Sequence, residues 1–206
     1  MLVFAKNPGE TPRDVMARRD IPLPGLHNVE NVLAALTTAA AMGLDPMPLA
    51  SHVRTFRAVP HRIELIAEIG GVRYYNDSKA TNLDSLEKAL ESFEEPVVLI
   101  AGGRDKGAPW TRLNDLVARK VKSLVLIGEA APIGRAAWAE IVPKTSDATD
   151  MAQAVSQAHA MATRGDVVLL SPACASYDMY RDFEERGDHF RSIVLELSKT
   201  RGGEHV

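Results

Sequence analysis

From residue 60 onward, short apolar runs alternate with longer segments whose apolar residues recur at helical spacing. Between 62 and 69 the pattern is alternating, with Ile63, Leu65 and Ala67 on one side, and Gly70-Gly71 then signals a hairpin returning through 72–75. The runs at 97–101, 123–127 and 166–170 are apolar apart from Ser123 and Asp166 at their starts, as in strands buried on both faces. Between them, amphipathic patterns predict helices at 83–93, 113–120, 133–139, 148–162 and 180–197, with a further short strand at 141–142. This alternation predicts an α/β fold: a Rossmann-like, mostly parallel sheet with helices on both faces.

The chain ahead of residue 60 follows another rhythm. Pro8-Gly9, Pro12, Pro22 and Pro24-Gly25 break up the first 26 residues, which predicts irregular chain or a short strand pair. Val29, Val32, Leu33, Leu36 and Ala40 then predict a helix over 27–42, closed by Gly43. Asp45-Pro46 opens a second, shorter helix to Phe56. The expected division is a helical segment and linker over 1–59, an α/β domain over 60–200, and a tail over 201–206.

Composition narrows the partners. The 206 residues are 46% hydrophobic and 25% charged, ordinary for a globular chain, and the net charge is −3 with Lys and Arg dispersed. A nucleic-acid partner would call for a clustered basic face. A lone cysteine, Cys174, excludes an internal disulfide and a cysteine-rich zinc site, and the histidines have no metal-ligand spacing, so no metal site is expected. No apolar run reaches membrane-span length and no signal-peptide pattern opens the chain. A cytoplasmic monomer without membrane or nucleic-acid partners is the expectation.

Chemistry-bearing residues gather at three strand ends, which in a parallel sheet share one edge and border one crevice. The first is Asn76-Asp77-Ser78-Lys79-Ala80-Thr81-Asn82, between the 72–75 strand and the 83–93 helix. Capping explains one or two of its polar residues. It does not explain Lys79, whose charge is disfavoured at a helix N-terminus unless an anion meets it. The second, Gly102-Gly103-Arg104-Asp105-Lys106-Gly107, is either a loop admitting an anionic ligand or a tight turn with solvated charges. The third, Ser171-Pro172-Ala173-Cys174-Ala175-Ser176-Tyr177-Asp178, has small residues for close approach and Ser176 as a donor. Cys174 reads as a small buried hydrophobe rather than a nucleophile, since no basic partner is evident.

Further positions carry two readings. Asn28 and Asn31 share a helix face and suit an adenine edge, or Asn28 caps the helix. Arg62, in Pro60-His61-Arg62, has a fork suited to phosphate, or is a surface charge. Gly187, in Arg186-Gly187-Asp188-His189-Phe190, costs about 1 kcal/mol in a helix relative to alanine, which signals a kink or a close approach. Phe190 reads as core, while Phe183 is open between core and site.

In order, these segments resemble the Mur ligase family of peptidoglycan biosynthesis, and within it the branch that adds D-glutamate. The resemblance runs from about residue 20 to 197 and is carried most specifically by Asp77-Ser78-Lys79-Ala80-Thr81-Asn82 and Ser171-Pro172-Ala173-Cys174-Ala175-Ser176. It implies an ATP-dependent acid–amino-acid ligase working through an acyl phosphate. Lys79 is then expected near the transferred phosphate and Arg62 at the ATP phosphates, both catalytic. Asn28 and Asn31 would lie near adenine and Asp77 near ribose. Thr81, Lys106, Ser176, the Tyr177 backbone and Phe183 would surround D-glutamate. The implied partners are ATP, Mg2+, D-glutamate and UDP-N-acetylmuramoyl-L-alanine.

One departure accompanies the match. The chain has no Gly-x-x-x-x-Gly-Lys-Ser/Thr loop, which the family carries in a central domain together with its magnesium ligands. The expectation is therefore a C-terminal portion, with 1–59 as the end of that central domain, inactive on its own. The alternatives are a stand-alone binding module that kept the pocket, and an unrelated nucleotide-binding Rossmann domain. The missing Gly-x-Gly-x-x-Gly after the first strand counts against the latter.

Overall fold

The structure is a computed structural model and describes residues 1–5, 9–57, 59–201 and 204–205. Pro8 and part of the expected 201–206 tail lie outside the described residues. The chain forms two compact units, Met1–Ala58 and Val59–Val206.

In the first unit, strands β1 (Leu2–Phe4) and β2 (Arg13–Met16) pair antiparallel, the strand-pair form of the expected N-terminal segment. Helices α1 (Leu26–Ala41) and α2 (Pro46–Arg54) follow. Asp45 caps α2 by accepting from the Met47 N–H at 3.1 Å. Leu2, Met16, Ile21, Val29, Leu36 and Ala50 form a small core.

The second unit is a three-layer α/β fold. Its elements in chain order are β3 (Glu64–Ile69), β4 (Val72–Asn76), α3 (Leu83–Glu91), β5 (Val97–Gly102) and α4 (Asn114–Lys120), the last preceded by a 3-10 turn at Trp110–Leu113. Then come β6 (Val121–Ile127), α5 (Ala131–Trp138), β7 (Thr145–Ala148), α6 (Met151–Met161), β8 (Val167–Leu170), α7 (Phe183–Arg201) and β9 (Glu204–His205). Among the described residues the sheet order is β7-β6-β5-β8-β4-β3-β9. The five strands from β7 to β4 are parallel, while β3 and β9 extend the edge antiparallel.

The continuous apolar runs are where the sheet is covered on both faces: every residue of β5 and β8 is buried. On one face α3, α4, α5 and the 3-10 turn press Leu86, Leu90, Val117, Trp138 and Trp110 onto Leu99 and Leu126. On the other, α6 and α7 press Met151, Val155, Phe190 and Val194 onto Val98, Ile100 and Val168. Each such buried side chain is worth about 1.5–3 kcal/mol relative to exposure.

Three expectations need correction. Residues 141–142 are not a strand: the Ile141 and Val142 N–H groups bond back to the Trp138 carbonyl in the turn closing α5, and Val142 is apolar because it plugs the core. The strand is β7, whose four residues include Thr145, Ser146 and Asp147, so it had little apolar signal. The helix expected from 148 begins at Met151, because Asp150 caps it by accepting from Gln153 N–H at 2.8 Å. In β3, Leu65 pairs with Tyr75 and Ala67 with Tyr74, so a bulge at Ile66 reverses the alternation. Ile63 and Leu65 pack on one face, and Ala67 joins Ile66 and Ile69 on the other.

The topology places the site. After β4 the chain crosses to β5, continues outward to β6 and β7, and returns to insert β8 between β5 and β4. The carboxyl ends of β4, β8 and β5 are therefore neighbours, and the order of strands reverses there. No helix among the described residues is long and apolar enough to cross a membrane.

Candidate active site

The β4 turn is tied down from beneath. Asn76, fully buried, accepts from Ser78 N–H at 3.1 Å, and its Nδ2 donates to Gly187 O at 3.1 Å and to His61 Nδ1 at 3.0 Å. The backbone partners fix which end of the amide is the donor. His61 Nδ1 is therefore the acceptor and its ring proton sits on Nε2, which lies 3.8 Å from Asp188 Oδ1.

Asp77 is only 4% exposed, with Oδ1 accepting from Ile63 N–H at 3.2 Å and Oδ2 from the Ser171 hydroxyl at 2.8 Å. It thereby joins the ends of β4 and β8 to the entry of β3. Burial pushes its carboxyl up to about 7, against the pull of Ser171, the Ile63 N–H and Arg62. Each oxygen keeps a second lone pair beyond these bonds.

The segment entering β3 is strained: His61 has φ 62° and Ile63 φ 44°, the left-handed region that an isoleucine rarely occupies. Such residues cost about 1–3 kcal/mol each and persist where the surroundings fix them. Here His61 N–H is held by Glu64 Oε2 at 3.0 Å, His61 O by Lys79 N–H at 3.0 Å, and Ile63 N–H by Asp77. Arg62 sits between the two strained residues with its side chain exposed.

Lys79 is exposed, and its Nζ lies over the half-buried Phe183 ring, 5.2 Å from the centroid. A cation over a ring face is worth about 0.5–1 kcal/mol at an exposed site. The same ring meets His61 edge-on at 6.1 Å. Phe183 is thus at the site and not in the core, whereas Phe190 is fully buried core. Lys106, from the loop after β5, reaches across to Thr81 on the β4 turn, Nζ to Oγ1 at 3.3 Å.

The third segment joins through its backbone and through a buried cation. Ala175 and Arg104 exchange N–H···O bonds at 2.8 and 3.0 Å, and Gly102 N–H donates to Pro172 O at 2.9 Å. Arg186, 3% exposed, donates from Nε to Ser78 Oγ at 2.9 Å, from Nη2 to Ser78 O at 2.8 Å and from Nη1 to Cys174 O at 3.1 Å. The Ser78 hydroxyl in turn donates to Phe183 O at 2.8 Å. Burial lowers the Arg186 guanidinium to about 10. Ser176 is buried, its carbonyl taken by Met179 and Tyr180 N–H, while Tyr177 is 65% exposed. Cys174 is fully buried and its thiol is pushed up to about 12, chiefly by burial, which agrees with a packing role.

The three strand ends therefore meet, with Lys79, Thr81, Lys106, Ser176 and Phe183 around them. Sequence reasoning had not assigned His61 and Arg186 to the site. Arg186 sat in a recognised motif, but its burial comes from α7 folding over β4, which local sequence does not disclose. Gly187 settles as a close approach: a Cβ there would collide with the His61 ring.

Asn28 and Asn31 belong to the first unit. Gly25, at φ 94°, is the N-cap of α1, so Asn28 is not the cap. Its Nδ2 holds Pro24 O at 2.7 Å, and Asn31 Nδ2 approaches its Oδ1 at 3.4 Å. The two amides do face one another, with Asn31 exposed.

Comparison with known proteins adds the following. Residues 61–174 match the family described as Mur ligase, glutamate ligase domain. The UDP-N-acetylmuramoylalanine–D-glutamate ligase of Pelotomaculum thermopropionicum is 51% identical over 189 residues, which are 91% of this chain and 42% of that protein. The ligase of the same name from Symbiobacterium thermophilum is 46% identical over 202 residues, 96% of this chain and 43% of that protein. The chain thus spans about two fifths of the length of these relatives. Among solved structures, the UDP-N-acetylmuramate-alanine ligase of Thermotoga maritima superposes with a TM-score of 0.63 at 16% identity, covering 86% of this chain and 39% of that one. A Mycobacterium tuberculosis folylpolyglutamate synthase does so with a TM-score of 0.59 at 17% identity, covering 82% and 41%. At such identities these two speak for the fold alone.

Proposed function

This chain belongs to the Mur ligase family, and from that premise we propose that it is the C-terminal part of an ATP-dependent ligase joining D-glutamate to UDP-N-acetylmuramoyl-L-alanine. The observation that carries the reading is the contact of Lys106 Nζ with Thr81 Oγ1 across two strand-end loops. It sets an ammonium and a hydroxyl side by side. A dicarboxylate amino acid needs such donors at both ends, and Lys106 keeps two N–H groups free after bonding Thr81.

The chemistry is the one that the family resemblance implies. The γ-phosphoryl group of ATP passes to a carboxylate oxygen of the muramoyl-alanine substrate, releasing ADP. The D-glutamate amine then donates its lone pair to the acyl carbon and loses a proton to solvent, and the tetrahedral intermediate expels phosphate with cleavage of its bond to carbon. Phosphoryl and acyl transfer of this kind need positioning and charge stabilisation above all. Lys79, steered by the Phe183 ring, supplies positive charge to the transferred phosphate, and Arg62 supplies it to the nucleotide phosphates. Asp77 accepts from a ribose hydroxyl through lone pairs its inner bonds leave free. Asn28 and Asn31 serve adenine. Thr81, Lys106, Ser176, the Tyr177 backbone and Phe183 hold D-glutamate. Mg2+ and the principal phosphate contacts fall to residues other than these.

A stand-alone binding module is not favoured, since relatives identical to this chain at about half of the aligned residues are named as ligases. In the full-length ligase carrying this chain, ADP release with UDP-N-acetylmuramoyl-L-alanine should depend on D-glutamate. L-glutamate in its place should give no ligated product above background. Equal product from both enantiomers would contradict the proposal.

A further inference from the structure

We infer that Asp178 is a positioning residue for the amino-acid site: it ties the loop after β8 to the loop after β6 and so fixes Ser176. The inference rests on the proposed reading of Ser176 as a D-glutamate ligand.

The loop after β6, through Gly128, Glu129 and Ala130, lay outside the three segments singled out in the sequence. Asp178 is half-buried, and its Oδ2 accepts from Glu129 N–H at 3.0 Å. Gly128 lies at φ 76°, and a Cβ there would collide with the Asp178 carboxylate. Glycine is what admits the carboxylate to the turn. Ala130 N–H donates to Gly103 O at 2.8 Å. Arg104 grips the Glu129 carboxylate through Nε and Nη2 at 3.0 and 3.1 Å, while its backbone pairs with Ala175.

These bonds close a ring around three loops: Ala175 to Arg104, Gly103 to Ala130, and Glu129 to Asp178. Ser176 and Tyr177 span the two points at which the β8 loop is fastened to that ring. With Asp178 bonded, the span is held at both ends, and the Ser176 hydroxyl has one place in which to meet a carboxylate. Without that bond the span is fastened to the ring at Ala175 alone. Asp178 thus acts through Ser176 and touches no reacting atom.

A double-mutant cycle in the full-length ligase tests this. Loss of one charge-assisted hydrogen bond predicts that Asp178→Ala raises the KM for D-glutamate about tenfold. The KM for ATP and the melting temperature should change little. Asp178→Asn keeps an acceptor for Glu129 N–H and should restore near-normal KM. In a Ser176→Ala background, Asp178→Ala should add little, because both act on one contact. An unchanged D-glutamate KM in Asp178→Ala, or full additivity with Ser176→Ala, would overturn the inference alone. A Ser176→Ala variant with unchanged D-glutamate KM would overturn the reading of Ser176 and this inference with it.

Discussion

Asp77 shows how much one residue of the β4 turn is asked to do. Its carboxyl joins β3, β4 and β8 from a nearly closed position, and burial raises it to about 7 from an ordinary value of 3.8. A raised carboxyl means the folded state holds its proton more tightly than the unfolded chain. Its contribution to stability is thus fully present below about pH 4 and is lost as pH rises toward 7. The difference corresponds to up to about 4 kcal/mol at 1.36 kcal/mol per unit. Asp77→Asn, which carries no charge, should therefore denature at higher urea than the parent at pH 8. The gap should narrow at pH 5, as measured by urea titration at both values; a gap that widens at pH 5 would contradict the burial argument. This turn stood out in the sequence because capping could not absorb Lys79; in the structure Asn82 is the N-cap of α3 and Lys79 lies three residues ahead of it. The inward orientation of Asp77 was not legible, since it depends on Ser171, ninety-four residues away in sequence.

At the scale of elements, the site is held by α7 and by the strained entry to β3. Gly187 is where they touch: it leaves room for the His61 ring and offers its carbonyl to Asn76. Gly187→Ala would gain about 1 kcal/mol of helix propensity. It would also force apart α7 and His61, an overpacking that costs about 1–3 kcal/mol. The net effect expected is a lower denaturant midpoint for the variant, with an unchanged slope; a raised midpoint would mean that the contact is loose. Strands β5 and β8, and the apolar 124–127 run of β6, were readable because burial on both faces leaves a strong pattern. β7 was not, because a short edge strand carrying Thr145, Ser146 and Asp147 has no apolar face to show. The β3 bulge at Ile66 was hidden for a related reason: alternation reads as regular until the partner strand imposes a two-against-one register. His61 and Ile63 reached positive φ without a glycine to announce it.

At the scale of the whole molecule, insertion of β8 between β5 and β4 brings three strand ends together. Residues separated by a hundred positions become hydrogen-bonded neighbours, as Ser78 and Arg186 do. Motif order and strand alternation sufficed to expect one crevice, because carboxyl ends of parallel strands share an edge. Which segments would touch followed only from strand order, so the loop after β6 and the buried Arg186 went unassigned. The central claim is that this crevice selects the incoming amino acid. Steady-state kinetics of Lys106→Ala in the full-length ligase tests it most directly. The prediction is a rise of about tenfold or more in the KM for D-glutamate, from the loss of a charged hydrogen bond, with the KM for ATP within about twofold of the parent. An unchanged D-glutamate KM, or an equal rise for ATP, would contradict it.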